Sequence, residues 1–171
     1  TNAQSRALEE ALRKMNIPYR IYGGTSFYQR KEVKDLLAYF RLAINQHDDE
    51  SLRRIVNYPT RGIGQATVDK LSVAASDNDV SIFTVMENLR EFNLGINAGT
   101  ANKINEFATM IKSFGQQLHT KNAYELAEMI ASNSGILKEL HIDKTPEGVS
   151  RYENIQELLN GMQDFVDNSR T

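Results

Sequence analysis

The fold of this chain is decided at residues 57–71, where the sequence NYPTRGIGQATVDKL places a glycine-rich turn directly before a helix. Pro59 ends the preceding helical pattern, since proline has no backbone N–H to donate. Gly62 and Gly64 lack a Cβ atom, so the backbone around them can turn sharply and approach another molecule closely. Ile63 stands between the two glycines, where its side chain can anchor the turn in a core. The stretch predicts a tight corner between two helices.

The outward side of this corner is typical of a phosphate-binding site. A helix that begins at about Gly64 would direct unpaired N–H groups and the positive end of its dipole outward. Arg61 and Lys70 would add positive charge beside them. The pattern resembles the hairpin of helix-hairpin-helix units, which hold the DNA backbone without reading bases. The alternative is an ordinary helix–helix turn with glycine at a C-cap and again at an N-cap, and these few residues leave both open.

Length and composition indicate one globular domain, or one domain with a small appendage. The chain has 171 residues, 40% of them hydrophobic, with only three prolines, which suits a compact fold with a real core. It has no cysteine, which excludes disulfides and thiolate metal sites and fits a reducing cytoplasm. No apolar run reaches the length of a membrane span, so we expect no membrane partner. Because the chain starts at Thr1 within a helical pattern, we expect it to be cut from a longer protein.

Charge is divided unevenly along the chain, although the net charge is only −2. Residues 1–72 carry twelve Lys and Arg against eight Asp and Glu, a net charge of +4, whereas residues 73–171 carry eight against fourteen, a net charge of −6. The basic half contains the glycine turn. A local basic patch is enough to hold a few phosphates, and an acidic remainder limits non-specific binding.

The first 24 residues predict a fragment of an α/β layer. Residues 4–16 have apolar positions at helical spacing, Pro18 ends that pattern, and residues 19–22 alternate as a short strand does before Gly23 and Gly24. Four residues cannot make a sheet, so the other strands are expected to lie outside this chain.

The remainder predicts helices nearly everywhere, so the predicted fold class is mainly α, a helical bundle with a short helix–strand piece at its front. The strongest pattern covers residues 30–45, and Asn122 with Glu125 forms a capping-box-like start. Residues 95–99 and 143–148 are predicted to be loops. The other predicted helices are a segment capped by Asp48 or Asp49, residues 64–75, a segment capped by Ser81 that reaches Leu89, residues 100–119, the segment from Asn122 to about Ser134, residues 136–140, and a last helix starting at Ser150.

Candidate metal ligands are few. Asp48, Asp49 and Glu50 follow His47, but consecutive side chains point in different directions, so we interpret the acids as a favourably charged helix N-terminus. His47, His119 and His141 lack the spacing of metal-binding pairs and are interpreted as surface residues. We predict no metal site in this chain.

Nucleotide binding by this chain alone is not predicted either. Gly23-Gly24-Thr25 lacks the Gly-Lys-Ser/Thr ending of a P-loop, so the chain by itself should not hydrolyse ATP. A basic face on the first strong helix, formed by Arg30, Lys31 and Lys34 close to two aromatic residues, is a further candidate for nucleic-acid contact.

Five blocks of sequence together resemble the UvrD/PcrA/Rep family of superfamily 1A DNA helicases. They occur in the family's order and cover both ends of the chain, whereas residues 73–148 match only in helical character and length. The blocks are TNAQSR (1–6), NIPYRIYGG (16–24), FYQRKEVKD (27–35), NYPTRGIG (57–64) and RYENIQEL (151–158).

The resemblance implies a fragment of a larger ATP-dependent enzyme. In this family two RecA-like motor domains, 1A and 2A, bind ATP and Mg²⁺ between them, and 2A is interrupted by a mobile all-helical insertion, 2B. Residues 1–27 then correspond to the end of the first part of 2A, and residues 28–171 to 2B. The Walker motifs would lie outside the chain, so no cofactor is expected in this fragment and it should be inactive alone. Unwinding in the 3′ to 5′ direction, a role in DNA repair or replication, and a bacterial cytoplasmic, nucleoid-associated location are family expectations.

The resemblance also implies partners and contact residues. The partners are the junction of double-stranded and single-stranded DNA, the 1A, 1B and remaining 2A domains, and repair or transcription proteins. Asn2 matches a position that contacts the single strand, and the 2B turn that touches the duplex is matched by Thr60, Arg61, Gly62, Ile63 and Gly64. The geometry of the predicted helix after the turn adds Thr67 and Lys70 to the candidate DNA-contact residues. The basic face of the first strong helix adds Arg30 and Lys31. Two alternatives stay open, a regulatory or protein-interaction module and a stand-alone helix-hairpin-helix DNA-binding domain.

Overall fold

The computed structural model of the protein describes residues 27–169. Asn2, the helix predicted over residues 4–16 and the strand predicted over residues 19–22 lie outside those residues. From residue 27 to residue 169 the backbone forms helices joined by short turns, without a strand, which confirms the mainly α class. These helices are α1 (Lys31–Ile44), α2 (Asp49–Ile55), α3 (Gln65–Asp77), α4 (Ile82–Glu87), α5 (Leu89–Phe92), α6 (Ala98–Gln116), α7 (Ala123–Asn133), α8 (Ile136–Ile142) and α9 (Pro146–Ser169).

Helix α1 forms the centre of the bundle. It contacts α2, α6, α7 and α9, and ten of its fourteen residues are buried, as expected for a helix that is covered on nearly every side. The predicted apolar stripe is confirmed, since Val33, Leu36, Leu37 and Phe40 are all buried. Tyr39 is buried as well, and its hydroxyl points towards the turn that follows α2.

Two carboxylates are buried on α1, and each has a partner. The Asp35 carboxylate pairs with Lys31 Nζ at 2.7 Å and with Arg54 Nε at 2.8 Å. The Glu32 carboxylate accepts a hydrogen bond from Asn154 Nδ2 of α9 at 3.2 Å. Because a buried charge without a partner is costly, these contacts fix α2 and α9 against the central helix.

Side chains cap several helices where the sequence predicts them. Asp48 caps α2 by accepting a hydrogen bond from Ser51 N–H at 3.1 Å, and the Ser81 side chain caps α4. Asn122 accepts from Glu125 N–H at 2.8 Å, and the Glu125 carboxylate accepts from Asn122 N–H at 3.0 Å. The predicted capping box is therefore confirmed.

The predicted start of the last helix at Ser150 is wrong, because α9 begins at Pro146. The Thr145 hydroxyl accepts a hydrogen bond from Gly148 N–H at 3.1 Å, which satisfies one of the free amides of the first turn. Proline suits the first helical position since its missing N–H would be unpaired there in any case. Thr145 with Pro146 was the stronger start signal in this segment.

Other helix boundaries also differ from the prediction, and the ends of α3, α6 and α8 shift by two or three residues. Residues 98 and 99 belong to α6 rather than to a loop, because Asn97 Oδ1 accepts from Thr100 N–H at 2.8 Å and starts the helix there. The segment that begins at Ser81 is interrupted at Asn88, whose backbone leaves the helical conformation, and α5 follows as a separate short helix.

We expect Asn122→Ala to destabilise the chain by about 1 kcal/mol, because it removes the oxygen that binds the Glu125 amide. Urea unfolding followed by circular dichroism measures this loss. The matched control is Asn105→Ala, which removes the same side chain from an exposed position within α6. Equal free energies of unfolding for the two variants would contradict a stabilising capping box.

Candidate nucleic-acid interface

The turn between α2 and α3 is closed by one side-chain oxygen. Asn57 Oδ1 accepts hydrogen bonds from the backbone N–H groups of Arg61 at 2.9 Å, Gly62 at 3.1 Å and Ile63 at 3.2 Å. These three amides therefore already have an acceptor within the protein. Asn57 lies in the stretch of sequence quoted above. Its role as acceptor for three successive amides could be predicted only if the turn conformation were already known.

Gly62 and Ile63 shape the turn in the way that the sequence predicts. Gly62 has a φ of +86°, a left-handed conformation that glycine adopts without steric cost. The Ile63 side chain is fully buried, so it anchors the turn in the core. The tight helix–helix corner predicted at residues 57–71 is present.

The Arg61 guanidinium points inward. Its Nη1 donates to the carbonyl oxygens of Ile55 at 2.8 Å and Val56 at 2.7 Å, at the end of α2. Its Nη2 donates to the Tyr39 hydroxyl at 2.6 Å. The guanidinium also lies 5.1 Å from the centre of the Phe107 ring of α6. Arg61 thus satisfies carbonyls that a helix C-terminus leaves without intrahelical partners.

The Tyr39 hydroxyl continues this network. It accepts from Arg61 and donates to the backbone carbonyl of Tyr58. Burial raises the pKa of Tyr39 above its ordinary value, and the Arg61 charge opposes that rise in part. The phenol therefore stays protonated near neutral pH and keeps its donor role.

The outward side of the corner is formed by the start of α3. Its N-cap is Gly64, which provides no side-chain hydrogen bond, and the first turn carries no acidic residue. No atom lies within 4 Å of the position that a Cβ of Gly64 would take. Thr60 and Lys70 are exposed and Thr67 is half-buried. The first amides of α3, which have no intrahelical acceptor, are thus open to an anion from outside.

Arg30 and Lys31 have partners within the protein. Arg30 Nη1 donates to Asn154 Oδ1 at 2.6 Å. Lys31 pairs with Asp35, and its Nζ also lies 4.3 Å from the centre of the Tyr58 ring. Burial, followed by the Asp35 charge, raises the pKa of Tyr58 to about 12. The two cations link α1 to its neighbours, and the structure does not bring them into the network of Arg61.

The acidic and histidine residues considered as metal ligands lie at helix starts or on the surface, where Glu50 and His119 are exposed. Asp48 is a helix cap, and Asp49 Oδ1 accepts from Ile82 N–H at the start of α4 at 3.0 Å. Exposed His47 contacts the Ser81 hydroxyl, and exposed His141 packs against the Tyr152 ring. In residues 27–169 no group of three metal-binding side chains could hold an ion. None of the helices described is long and apolar enough to cross a membrane.

The bundle and its turn define a helical module with a helix-hairpin-helix-like corner. Over its full length, residues 1–171, the chain matches the family of the UvrD-like helicase C-terminal domain, and it belongs to that family. It is 40% identical over 169 residues to the ATP-dependent DNA helicase PcrA of Bacillus subtilis strain 168. It is 37% identical over 169 residues to the PcrA helicases of Staphylococcus aureus strain Mu50 and of Staphylococcus epidermidis.

Each of these alignments covers 99% of this chain and 23% of the relative. The chain thus spans about a quarter of the length of the curated relatives that it matches. Family membership confirms the resemblance found in the five sequence blocks, and it excludes a DNA-binding protein unrelated to helicases.

We expect Arg61→Ala to destabilise the chain by about 2 kcal/mol, since it removes the donor to the Val56 carbonyl and the bonds to Ile55 and Tyr39. The Ile55 carbonyl keeps a hydrogen bond from Tyr58 N–H at 3.1 Å. The free energy of unfolding in urea measures the effect. Arg53→Ala is the control, because Arg53 is exposed on α2 and surface substitutions change stability by about 0.5 kcal/mol or less. A loss for Arg61→Ala as small as that of the control would show that the guanidinium does not hold the turn.

Proposed function

We propose that this chain is the helical accessory domain of an ATP-dependent DNA helicase and that it holds the backbone of duplex DNA at the Gly64 corner. The observation that carries this proposal is the open N-terminus of α3, which has glycine at its N-cap and no acid in its first turn. Membership of a helicase family makes DNA phosphate the anion of first interest.

The contact that we propose uses backbone amides more than side chains. The N–H groups of residues 65–67 would donate to a phosphate oxygen, and the exposed Thr60 and Lys70 would lie beside it. Gly62 and Ile63 would act through the shape of the turn. We assign Arg61 the same indirect role, because its guanidinium is bonded to Ile55, Val56 and Tyr39. Contacts of this kind position the protein on DNA without reading its sequence.

Three further contact residues belong to the proposal. Arg30 and Lys31 each have a partner within the protein, Asn154 and Asp35, so we give them a secondary role. Asn2 would meet the single strand. It lies outside the residues that the structure describes.

The parent protein would supply the chemistry. We propose that residues 1–27 end the first part of a RecA-like domain 2A and that residues 28–171 form the inserted 2B domain. ATP and Mg²⁺ would bind between 1A and 2A, outside this chain, so the isolated chain should show no ATPase activity. The parent would unwind DNA in the 3′ to 5′ direction during repair or replication in the bacterial cytoplasm, close to the nucleoid.

A regulatory role would use the same domain. The 2B insertion would restrain the motor formed by 1A, 1B and 2A in one orientation and release it in another. Repair or transcription proteins that bind its surface would then alter activity. We treat this role as additional to DNA contact.

The sharpest test is Gly64→Asp in the full-length helicase that carries this chain. The φ and ψ of Gly64, −76° and 171°, suit an aspartate N-cap and the space beside it is open, so the fold should be kept. The new carboxylate would occupy the amides of α3 and repel phosphate. We expect affinity for a duplex with a 3′ single-stranded tail to fall by about tenfold or more, since like charges across an interface cost several kcal/mol.

Two controls separate this effect from others. Gly64→Ser offers a neutral cap and should weaken binding less, while Ser150→Asp places the same charge at an exposed position of α9 and should leave binding unchanged. ATP hydrolysis stimulated by single-stranded DNA should be unchanged in all three variants. Duplex affinity of Gly64→Asp equal to that of the unaltered helicase would refute a phosphate contact at this corner.

A further inference from the structure

A lysine from another helix lies across the glycine turn. Lys103 is on α6, and its side chain is exposed. A Cβ placed on Gly62 would lie 2.5 Å from Lys103 Nζ, 2.9 Å from its Cδ and 3.1 Å from its Cε. The end of the Lys103 side chain therefore packs against Gly62, and its ammonium group lies over the turn. A side chain at residue 62 would occupy the space that the end of Lys103 takes, so the lysine would have to shift.

The Lys103 ammonium has no carboxylate partner among residues 27–169. Two other lysines of the bundle do have one. Lys112, on the same helix, pairs with Glu87 at 2.8 Å, and Lys31 pairs with Asp35 at 2.7 Å. Within the described residues Lys103 has neither an ion pair nor a hydrogen bond. Its charge is available to an anion that approaches the turn.

Arg61, the cation that the sequence places at the turn, is not available in this way. Both of its terminal nitrogens donate to acceptors within the protein. Its backbone N–H is bonded to Asn57. The positive charge that lies over Gly62 therefore comes from Lys103 of α6 and not from Arg61.

We infer that Lys103 is a cationic side chain that binds a duplex phosphate beside Gly62, in the place that the sequence gives to Arg61 and in addition to Lys70. This inference rests on the proposed function, since it names a further contact residue of the same site. An ammonium group binds phosphate as a point charge and needs no fixed planar geometry. A lysine that lies along the backbone of Gly62 can reach a phosphate beside the turn with little rearrangement. Gly62 serves the contact twice, through its positive φ and through the space that it leaves for Lys103.

The test compares Lys103→Gln with the unaltered full-length helicase, using a duplex with a 3′ single-stranded tail and fluorescence anisotropy over a series of salt concentrations. We expect the affinity to fall by roughly tenfold and the slope of log K against log salt to decrease by about 1, as expected for the loss of one phosphate contact. Lys112→Gln is the matched control, because it removes the same charge from the same helix where the ammonium is bound to Glu87. It should change neither quantity.

Lys103→Arg distinguishes charge from packing. We expect this variant to keep an affinity within about threefold of the unaltered protein, because it preserves the cation. A loss as large as that of Lys103→Gln would mean that the lysine acts by packing over Gly62, and it would overturn the inference.

Failure of this inference can be told apart from failure of the proposed function. If Gly64→Asp weakens duplex binding while Lys103→Gln leaves affinity and salt slope unchanged, the corner binds DNA without Lys103 and only the inference is wrong. If neither variant has an effect, the corner does not contact the duplex and both are wrong.

Discussion

The corner between α2 and α3 depends on the inward orientation of the Arg61 guanidinium. Helix α2 is short and ends with carbonyls that need donors, and Arg61 supplies them to Ile55 and Val56. The same group bonds to Tyr39 on the central helix and packs against Phe107 of α6. One side chain thus joins the end of α2, the core of the bundle and a third helix. Asn57 completes the corner by binding the amides of Arg61, Gly62 and Ile63.

This arrangement divides the backbone donors of the corner into two sets. The amides of residues 61–63 face Asn57 and are satisfied within the protein. The first amides of α3 lie beyond Gly64, which provides no cap. A rigid inner set and an open outer set suit a site that binds a phosphate without changing shape, because little conformational entropy is lost on binding. In the function that we propose, this phosphate belongs to duplex DNA.

Much of the fold could be predicted from local sequence. The spacing of apolar residues located α1 and α6, and short-range caps such as Asp48 and the Asn122–Glu125 pair fixed helix starts, because these signals act over three or four residues. The predicted start of α9 was wrong because the segment contains two possible helix starts. Thr145 with Pro146 begins the helix, and Ser150 does not. The buried position of Ile63 and the left-handed Gly62 also follow from local pattern.

The side chains of the candidate site were harder to predict, since their directions depend on contacts that are remote in sequence. Arg61 next to a glycine turn is typical of a phosphate contact, and only the positions of Tyr39 and Phe107 show that it points inward. Lys103 lies over Gly62 because α6 packs beside the turn, and no local pattern indicates that. Periodicity gives the face of a helix, but it does not say which neighbour that face meets.

Amide hydrogen exchange at single-residue resolution, in the full-length helicase with and without tailed duplex, tests this account most directly. We expect the amides of Arg61, Gly62 and Ile63 to be protected in the free protein and little changed by DNA. We expect the amides of residues 65–67 to exchange rapidly in the free protein and to slow on duplex binding. Rapid exchange at residues 61–63 that slows with DNA, together with unchanged exchange at residues 65–67, would contradict the account.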